Sequence, residues 1–177
     1  SWEQAVDRVK AMHLRKFKDN DEAKEAIEWA FKFVYSKRVF ASQRSMQFGG
    51  RAIERNHMRI YNCTYSACNR VRFFSEAFWL LLSGCGTGFS IRKIHTKQLP
   101  RLITEETLNK RLKAKHTIED TIEGWANAVD MLITSYCLSS YYDVSHDYEI
   151  DFNYSKLRPK GAKISSGGRS PGFKPLK

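Results

Sequence analysis

The feature that most constrains the fold is a glycine-rich turn at residues 84–88, GCGTG, set between an apolar segment and a β-forming one. Apolar residues recur at three- and four-residue spacing from Phe73 to Leu82, which predicts a buried helix before the turn. After it, Phe89-Ser90-Ile91 predicts a strand. A helix, a glycine turn and a strand in this order indicate an α/β chain.

The glycine turn itself does not match a known nucleotide-binding pattern. The dinucleotide fingerprint follows a strand and opens a helix, and a P-loop ends in Lys-Ser/Thr, whereas Gly84-x-Gly86-x-Gly88 follows a helix. Two interpretations stay open. The turn is purely structural, or its glycines let the backbone approach a ligand.

Charge and length limit the class of protein. The chain has 177 residues, and 30 Lys and Arg against 19 Asp and Glu give a net charge of +11. This basic balance allows nucleic acid, an anionic surface or phosphorylated ligands as partners. The longest apolar run, 77–82, is too short to span a membrane, and residues 1–18 lack a signal peptide's apolar stretch. We therefore expect a soluble, intracellular protein without membrane contacts.

The four cysteines are too few for a disulfide-stapled scaffold, which favours a reducing compartment. No Cys-x-x-Cys or His-x-x-x-His pattern accompanies them, so we predict no metal site. The scattered histidines assign no Cys-His nucleophilic pair. Cys85 and Cys137 are most simply interpreted as small packed side chains.

The first part of the chain predicts mostly helix. Apolar spacing indicates two helices within residues 1–39, and the break at 18–21 supplies the N-cap of the second. The Ser and Gly content of 40–50 predicts a loop. Alternation over 58–65 predicts a strand that carries Cys63.

The second part alternates helix and strand. Residues 92–116 predict an irregular excursion with one short helix, and 118–136 an amphipathic helix capped by Thr117-x-x-Asp120. A loop follows over 138–148. Residues 149–156 predict a strand with Ile150, Phe152 and Tyr154 on one face, which 162–164 extend, with no regular element afterwards.

Residues 158–177 form a basic, glycine-rich segment. Backbone N–H groups around Gly167 and Gly168, flanked by Lys160 and Arg169, can form an anion-binding nest. The alternative is a flexible basic tail.

Five segments in collinear order resemble one family, the ribonucleotide reductase large subunit. They are QRSMQFGG at 43–50, RIYNC at 59–63, LLLSGCGTGFS at 80–90, EDTIEGW at 119–125, and KLRPKGA at 156–162 with GGR at 167–169. The chain is most similar to the adenosylcobalamin-dependent, class II ribonucleoside-triphosphate reductases, which include phage-encoded members. The similarity runs from about Trp2 to Leu176.

The resemblance implies a ten-stranded α/β barrel around a thiyl-radical cysteine that abstracts the ribose 3′ hydrogen. Two further cysteines reduce the 2′ carbon and end as a disulfide. The family's Asn-Cys on the first barrel strand matches Asn62-Cys63, so Cys63 is implied as one reducing thiol, with Asn62 shaping the site. A thiol in this role needs a rigid strand beneath the ribose.

Other residues are implied by position. Ser45, Met46 and Gln47 match the loop that borders the substrate. Lys160, Gly167, Gly168 and Arg169 match the region near the deoxynucleotide effector, which agrees with their interpretation as an anion nest. Residues 1–40 then form an N-terminal helical hairpin, and residues 41–177 the first part of the barrel, including the basic loop 158–177.

The family's radical cysteine, its Asn-x-Cys-x-Glu motif and the second reducing cysteine have no counterpart in residues 1–177. Cys68 and Cys85 do not occupy catalytic positions of the family, and Asn69 stands where many members carry an acidic effector contact. We therefore expect the N-terminal segment of a split or truncated cytoplasmic reductase, inactive alone. A complementary C-terminal chain that brings the radical loop would complete it, and adenosylcobalamin would belong to the assembled enzyme and not to this segment alone. The alternative is a degenerate fragment acting as a basic structural or nucleic-acid-binding component of a larger assembly.

Overall fold

The computed structural model describes residues 1–138, 148–164 and 168–176. The described chain divides into two compact units, Ser1–Asn62 and Cys63–Lys177. No helix within the described ranges is long and apolar enough to cross a membrane. The division after residue 40 stays a prediction.

Two antiparallel helices open the first unit, as the apolar spacing predicts. α1 spans Trp2–Lys16 and α2 spans Asp21–Tyr35. Each begins at a side-chain cap. Ser1 forms a capping box, and the Asn20 side chain accepts a hydrogen bond from the Ala23 N–H at 2.9 Å, which confirms the predicted N-cap. The core between the helices contains Val6, Val9, Met12, Phe31, Val34 and Ile53.

Short helices complete this unit where a loop and a strand are predicted. α3 spans Gln43–Phe48, α4 spans Arg51–Arg55, and a 3₁₀ turn covers His57–Ile60. The predicted loop at 40–50 is therefore wrong, and the strand predicted from residue 58 begins only at Cys63. Met46, Phe48 and Ile60 pack on the helical core, and this tertiary contact outweighs the local Ser and Gly content.

The second unit opens with a strand, a helix and a parallel strand. β1 spans Cys63–Ala67, α5 spans Phe73–Leu82 and β2 spans Gly86–Ser90. β1 and β2 pair in parallel. The predicted order of helix, turn and strand is confirmed, but the turn ends before Gly86, because Gly86 and Gly88 belong to β2, which ends at Ser90. α5 is less buried than predicted, because Leu81 is 55% exposed.

A second strand–helix–strand arrangement follows within the same unit. β3 spans Leu112–Thr117, α8 spans Ile122–Thr134 and β4 spans Tyr148–Asn153, and the two strands pair in parallel. Two short helices precede it, α6 at Lys93–Thr96 and α7 at Glu105–Leu108. The prediction of one short helix over 92–116 is wrong, since this segment also contains most of β3.

α8 begins later than predicted. Thr117 ends β3, and the true cap is Thr121, whose hydroxyl accepts a hydrogen bond from the Gly124 N–H at 2.9 Å. Ile118 is 1% exposed, and its N–H donates to the Asn153 carbonyl at 3.1 Å. Its apolar side chain fits the helical spacing, but it belongs to the core at the end of the strands, with Ala128 and Leu157.

The C-terminal part turns back on itself. Lys163 pairs with Arg169 in an isolated antiparallel bridge, so residues 162–164 do not extend β4. A 3₁₀ turn at Lys174–Leu176 contradicts the prediction of no regular element after Ile164. Most of the predicted loop at 138–148 lies outside the described residues.

The described strands form two separate two-stranded parallel sheets. The predicted mixed α/β class is confirmed. The described residues form no closed barrel, and the ten-stranded barrel stays a prediction.

Candidate functional site

The candidate site is centred on Cys63, the first residue of β1. It lies opposite Gly86 in the parallel register, and Tyr65 lies opposite Gly88. Side chains alternate between the faces of a strand, so Cys63 and Tyr65 share one face with these two glycines. Cys63 is exposed and Tyr65 is 69% exposed. The face beside the thiol therefore carries few side chains and can admit a ligand close to the sulfur.

The opposite face of the sheet holds β1 and β2 against α5. Phe89 on β2 stacks edge to face on Phe73 of α5, with ring centroids 5.7 Å apart. Across the strands, the Thr64 and Thr87 hydroxyls lie 3.4 Å apart. Phe89 is nevertheless 58% exposed, so the backbone pairing of β1 with β2 is the main support of the strand that carries Cys63.

The other three cysteines are buried. Cys68, Cys85 and Cys137 are 5%, 2% and 4% exposed, and all four thiols are free. Burial raises the pKa of the Cys68 and Cys137 thiols. Exposure therefore separates Cys63 from its three counterparts, and the interpretation of Cys85 and Cys137 as packed side chains is confirmed.

Asn62 precedes the thiol and ends the first unit. Its side-chain oxygen accepts a hydrogen bond from the Arg44 Nε at 3.1 Å, across 18 residues of sequence. The ring of Phe48 lies 5.6 Å from the Arg44 guanidinium carbon. The Arg44 side chain thus fixes the Asn62 amide relative to α3.

Ser45, Met46 and Gln47, the predicted substrate residues, lie on α3. Ser45 is buried, Met46 packs against the helical core, and only Gln47 has an exposed side chain. The carbonyls of Met46 and Gln47 accept hydrogen bonds from the Arg8 guanidinium. Among these three side chains, Gln47 is the one positioned to meet a ligand.

A basic cleft of about 480 Å³ borders Gln47 within the first unit. Three arginines line it, namely Arg8 and Arg15 from α1 and Arg51 from α4. Glu54 pairs with Arg15 at 2.8 Å and offsets part of this charge. Sequence reasoning missed this cleft, because Arg8 and Arg51 are far apart in the chain and meet only through the packing of α1 on α3 and α4.

The predicted effector residues that the structure describes lie in or beside a small hairpin, which pairs residues 161–164 with residues 168–170. The Gly161 N–H donates to the Ser170 carbonyl and the Ser170 N–H to the Ala162 carbonyl, both at 2.8 Å, and Arg169 donates to the Gly161 carbonyl at 2.9 Å. These backbone groups hold the hairpin together. Lys160, Gly168 and Arg169 are exposed, and Gly167 lies outside the described residues.

Arg158 anchors this hairpin. Its Nε donates to Asp120 Oδ2 at 2.6 Å, and its Nη1 donates to the Lys163 carbonyl at 3.1 Å. The pair is partly buried on both sides, which strengthens a charge-assisted bond. The turn before α8 and the hairpin are thereby fixed to each other.

A second cavity, of about 630 Å³, lies between α5, α8 and β1. Its wall includes two hydrogen-bonded pairs that link the helices: Ser75 Oγ donates to Asp130 Oδ1 at 2.8 Å, and Trp79 Nε1 donates to Glu123 Oε1 at 3.3 Å. Neither cavity is lined by Cys63. Within the described ranges, no group of three or more His, Cys, Asp or Glu side chains could hold a metal ion.

Comparison with known proteins defines the class of fold. No protein-family model and no curated protein matches the chain. A crystal structure of a B12-dependent (class II) ribonucleotide reductase matches it with a TM-score of 0.82 and 22% sequence identity. The match covers 99% of this chain and 32% of the reductase chain, so the chain spans about a third of that protein's length. The chain therefore has a ribonucleotide reductase-like fold, as the motifs predict.

Proposed function

We propose that the chain is a segment of a ribonucleotide reductase catalytic subunit and contributes one of its reducing thiols. The observation that carries this proposal is the likeness to the B12-dependent reductase over 99% of the chain. The exposed Cys63, at the start of a strand that a helix supports, has the setting that such a thiol requires.

In the proposed reaction, two thiols reduce the 2′ carbon of a ribonucleoside di- or triphosphate. The C2′–OH bond breaks and its oxygen leaves as water, while a C2′–H bond forms. The two thiols supply two electrons and two protons and become a disulfide. Cys63 is one of these thiols, and Asn62, whose amide oxygen accepts a hydrogen bond from Arg44, is assigned to shaping the site.

Substrate and effector are assigned to separate surfaces. We assign the substrate to α3, where the exposed Gln47 borders the arginine-lined cleft. We assign the effector phosphates to the hairpin, where the Lys160 and Arg169 side chains are exposed. Ser45 and Met46 then act by packing α3, because neither of their side chains is exposed.

The rest of the site comes from residues outside 1–177 in this proposal. A complementary reductase chain would supply the radical cysteine and the second reducing thiol. Adenosylcobalamin, which generates the radical when bound, belongs to the assembled enzyme, and we assign none of the described residues to holding it. The segment alone is then inactive.

The test is reconstitution. The chain is mixed with the C-terminal two thirds of a class II reductase, adenosylcobalamin, a ribonucleoside triphosphate and a dithiol reductant, and deoxynucleotide formation is measured. We expect activity only in the complete mixture. Cys63→Ser should abolish turnover, whereas Cys85→Ala, at a buried cysteine without a catalytic role, should retain it.

Two outcomes would contradict the proposal. One is a Cys63→Ser variant that turns over like the wild type. The other is the absence of deoxynucleotide with every complementary segment tried, although a complex forms between the two chains.

The net charge of +11 favours a second candidate, a basic structural or nucleic-acid-binding component of a larger assembly. Binding to DNA or RNA would then weaken steeply with salt, because phosphate contacts release counterions. Absence of binding at about 0.05 M salt, where this contribution is strong, would exclude it.

A further inference from the structure

α2 carries two apolar faces where a surface helix normally carries one. Its inner face packs on α1 through Ile27, Phe31 and Val34. Its outer stripe, as we name it, runs at helical spacing along the other side and contains Ala26, Trp29, Ala30 and Phe33. Three of these four side chains are exposed, and Phe33 is half-buried.

Two aromatic rings dominate the outer stripe. Trp29 is 63% exposed, and its ring packs edge to face on that of Phe33, with centroids 4.9 Å apart. A single exposed aromatic residue needs no explanation. Two stacked aromatics aligned with two alanines form a patch of the kind that anchors protein–protein interfaces.

The charges beside the outer stripe have opposite signs at its two ends. Glu25 and Lys32 are seven residues apart, which places them on the same flank of the helix, two turns apart. Trp29 lies between them. Both are exposed, and no ion pair between described residues includes either one, whereas Glu28 and Asp21 are paired with Lys10 and Lys24.

We propose that the outer stripe binds the same stripe of a second copy of this chain, with the two α2 helices antiparallel. A two-fold axis near Trp29 reverses the direction of the helix and keeps each flank on its own side. Glu25 of each copy then faces Lys32 of the other, and the aromatic pairs meet at the centre. Such an interface is isologous, since one patch serves both copies.

The charge pattern favours a second copy over other partners. Every copy carries the net charge of +11, so the proposed pairing rests on the local charges beside the outer stripe and not on net charge. An acidic partner would be opposed by Glu22 and Glu25, which lie with Lys32 along the same side of the helix. Self-pairing places Glu25 of each copy opposite Lys32 of the other, and it also covers the rings of Trp29 and Phe33.

The interface is small, so the dimer is expected to be weak. One helix face on each side buries less than the roughly 1,200 Å² below which associations are typically weak and transient. We therefore expect monomers at about 1 μM and a substantial dimer fraction on the order of 100 μM.

The experiment is sedimentation velocity on the full chain over this concentration range. Glu25→Lys and Lys32→Glu should each raise the dissociation constant at least about tenfold, because each places like charges together at two positions. An equimolar mixture of the two variants should restore the dimer, since each contact then joins opposite charges. Both substitutions exchange good helix formers at exposed positions, so α2 itself is retained.

Glu105→Lys, which changes the net charge equally at an exposed site on α7, serves as the matched control and should leave the dimer intact. Trp29→Gln should weaken the dimer without a change in net charge. A chain that is monomeric at every concentration would overturn the proposal. A dimer that is indifferent to the charge exchange and to Trp29→Gln would overturn it as well and would place the contact elsewhere. None of these outcomes depends on reductase activity.

Discussion

Cys63 and Gly86 are in-register neighbours on two parallel strands. The thiol therefore lies beside a position that has no side chain, on a strand whose other face bears the half-buried Thr64 and Ser66. This arrangement makes a cysteine both rigidly placed and open to reagents. The other three cysteines lie within the core.

Alkylation should therefore distinguish Cys63 from its counterparts. In the native chain, iodoacetamide should modify Cys63 at least about tenfold faster than Cys68 or Cys137, because these two are buried and burial raises the pKa of their thiols, which lowers the thiolate fraction. Mass spectrometry of peptides after timed labelling measures the rates. Cys63→Ser should remove the fast phase, and equal labelling of all four cysteines would show that the buried sites open readily.

Gly124→Ala should destabilise the second unit. Alanine in a helix is normally worth about 1 kcal/mol over glycine. Here an added Cβ would lie 2.3 Å from the Glu119 carbonyl oxygen, so the turn before α8 must shift. We expect a loss of about 1–3 kcal/mol, as for other overpacked sites, measured by urea unfolding.

Gly84 provides the comparison for this substitution. A Cβ there meets nothing within 4 Å, but its φ of +88° is strained for any side chain, and Gly84→Ala should cost about 1 kcal/mol. A Gly124→Ala chain as stable as the wild type would mean that the close approach to Glu119 relaxes without cost.

The hydrogen bond between Ser75 and Asp130 should contribute to the packing of α5 on α8. Ser75 is 7% exposed and its Oγ lies 2.8 Å from the Asp130 carboxylate. Ser75→Ala should lower the free energy of unfolding by about 1–2 kcal/mol, because a charged acceptor loses a buried donor. A double-mutant cycle with Asp130→Asn measures the coupling, and a coupling near zero would remove this bond from the account of helix packing.

Stability of the first unit should depend on pH through His13. Burial, with the Lys16 charge as a smaller cause, lowers the pKa of His13 below its ordinary 6.5. The unfolded chain then binds a proton that the folded chain does not, so stability falls as the pH drops from about 6.5 through the folded pKa. Chemical unfolding at pH 7 and pH 5 checks this, with a slope below about 1.4 kcal/mol per pH unit for one proton. His13→Gln should flatten the difference, and an unchanged slope in that variant would assign the effect to other groups.

Local chemistry predicts much of the helical framework. Asn20 precedes an acidic turn and an apolar period of helical spacing, and these signals agree, so α2 is correctly placed. At α8 two threonines compete. Thr117-x-x-Asp120 fits a capping box, yet the strand pairing of β3 with β4 takes Thr117 and leaves Thr121 as the cap. Pairing with a strand that follows 36 residues later in the chain is invisible to any local pattern.

The candidate site likewise has features that the sequence predicts and features that only the tertiary packing creates. Cys63 could be predicted from a motif, and its exposure follows from its place at the start of a strand. The arginine-lined cleft could not, since Arg8 and Arg51 are brought together by packing alone. The basic, glycine-rich composition predicts an anion-binding segment. It does not predict that the Gly161 and Ser170 N–H groups donate to carbonyls within the hairpin, because these bonds depend on how the chain turns back on itself.

The two strand pairs differ in the length of chain that each must close. Cys63 and Gly86 are separated by 23 residues and Leu112 and Tyr148 by 36. A doubling of loop length costs only about 0.6 kcal/mol in closure entropy, so the free energies of closing the two strand pairs differ by less than that. The entropy of loop closure therefore does not distinguish the two halves of the second unit. What joins these halves is the packing of α5 on α8, with its Ser75–Asp130 and Trp79–Glu123 hydrogen bonds.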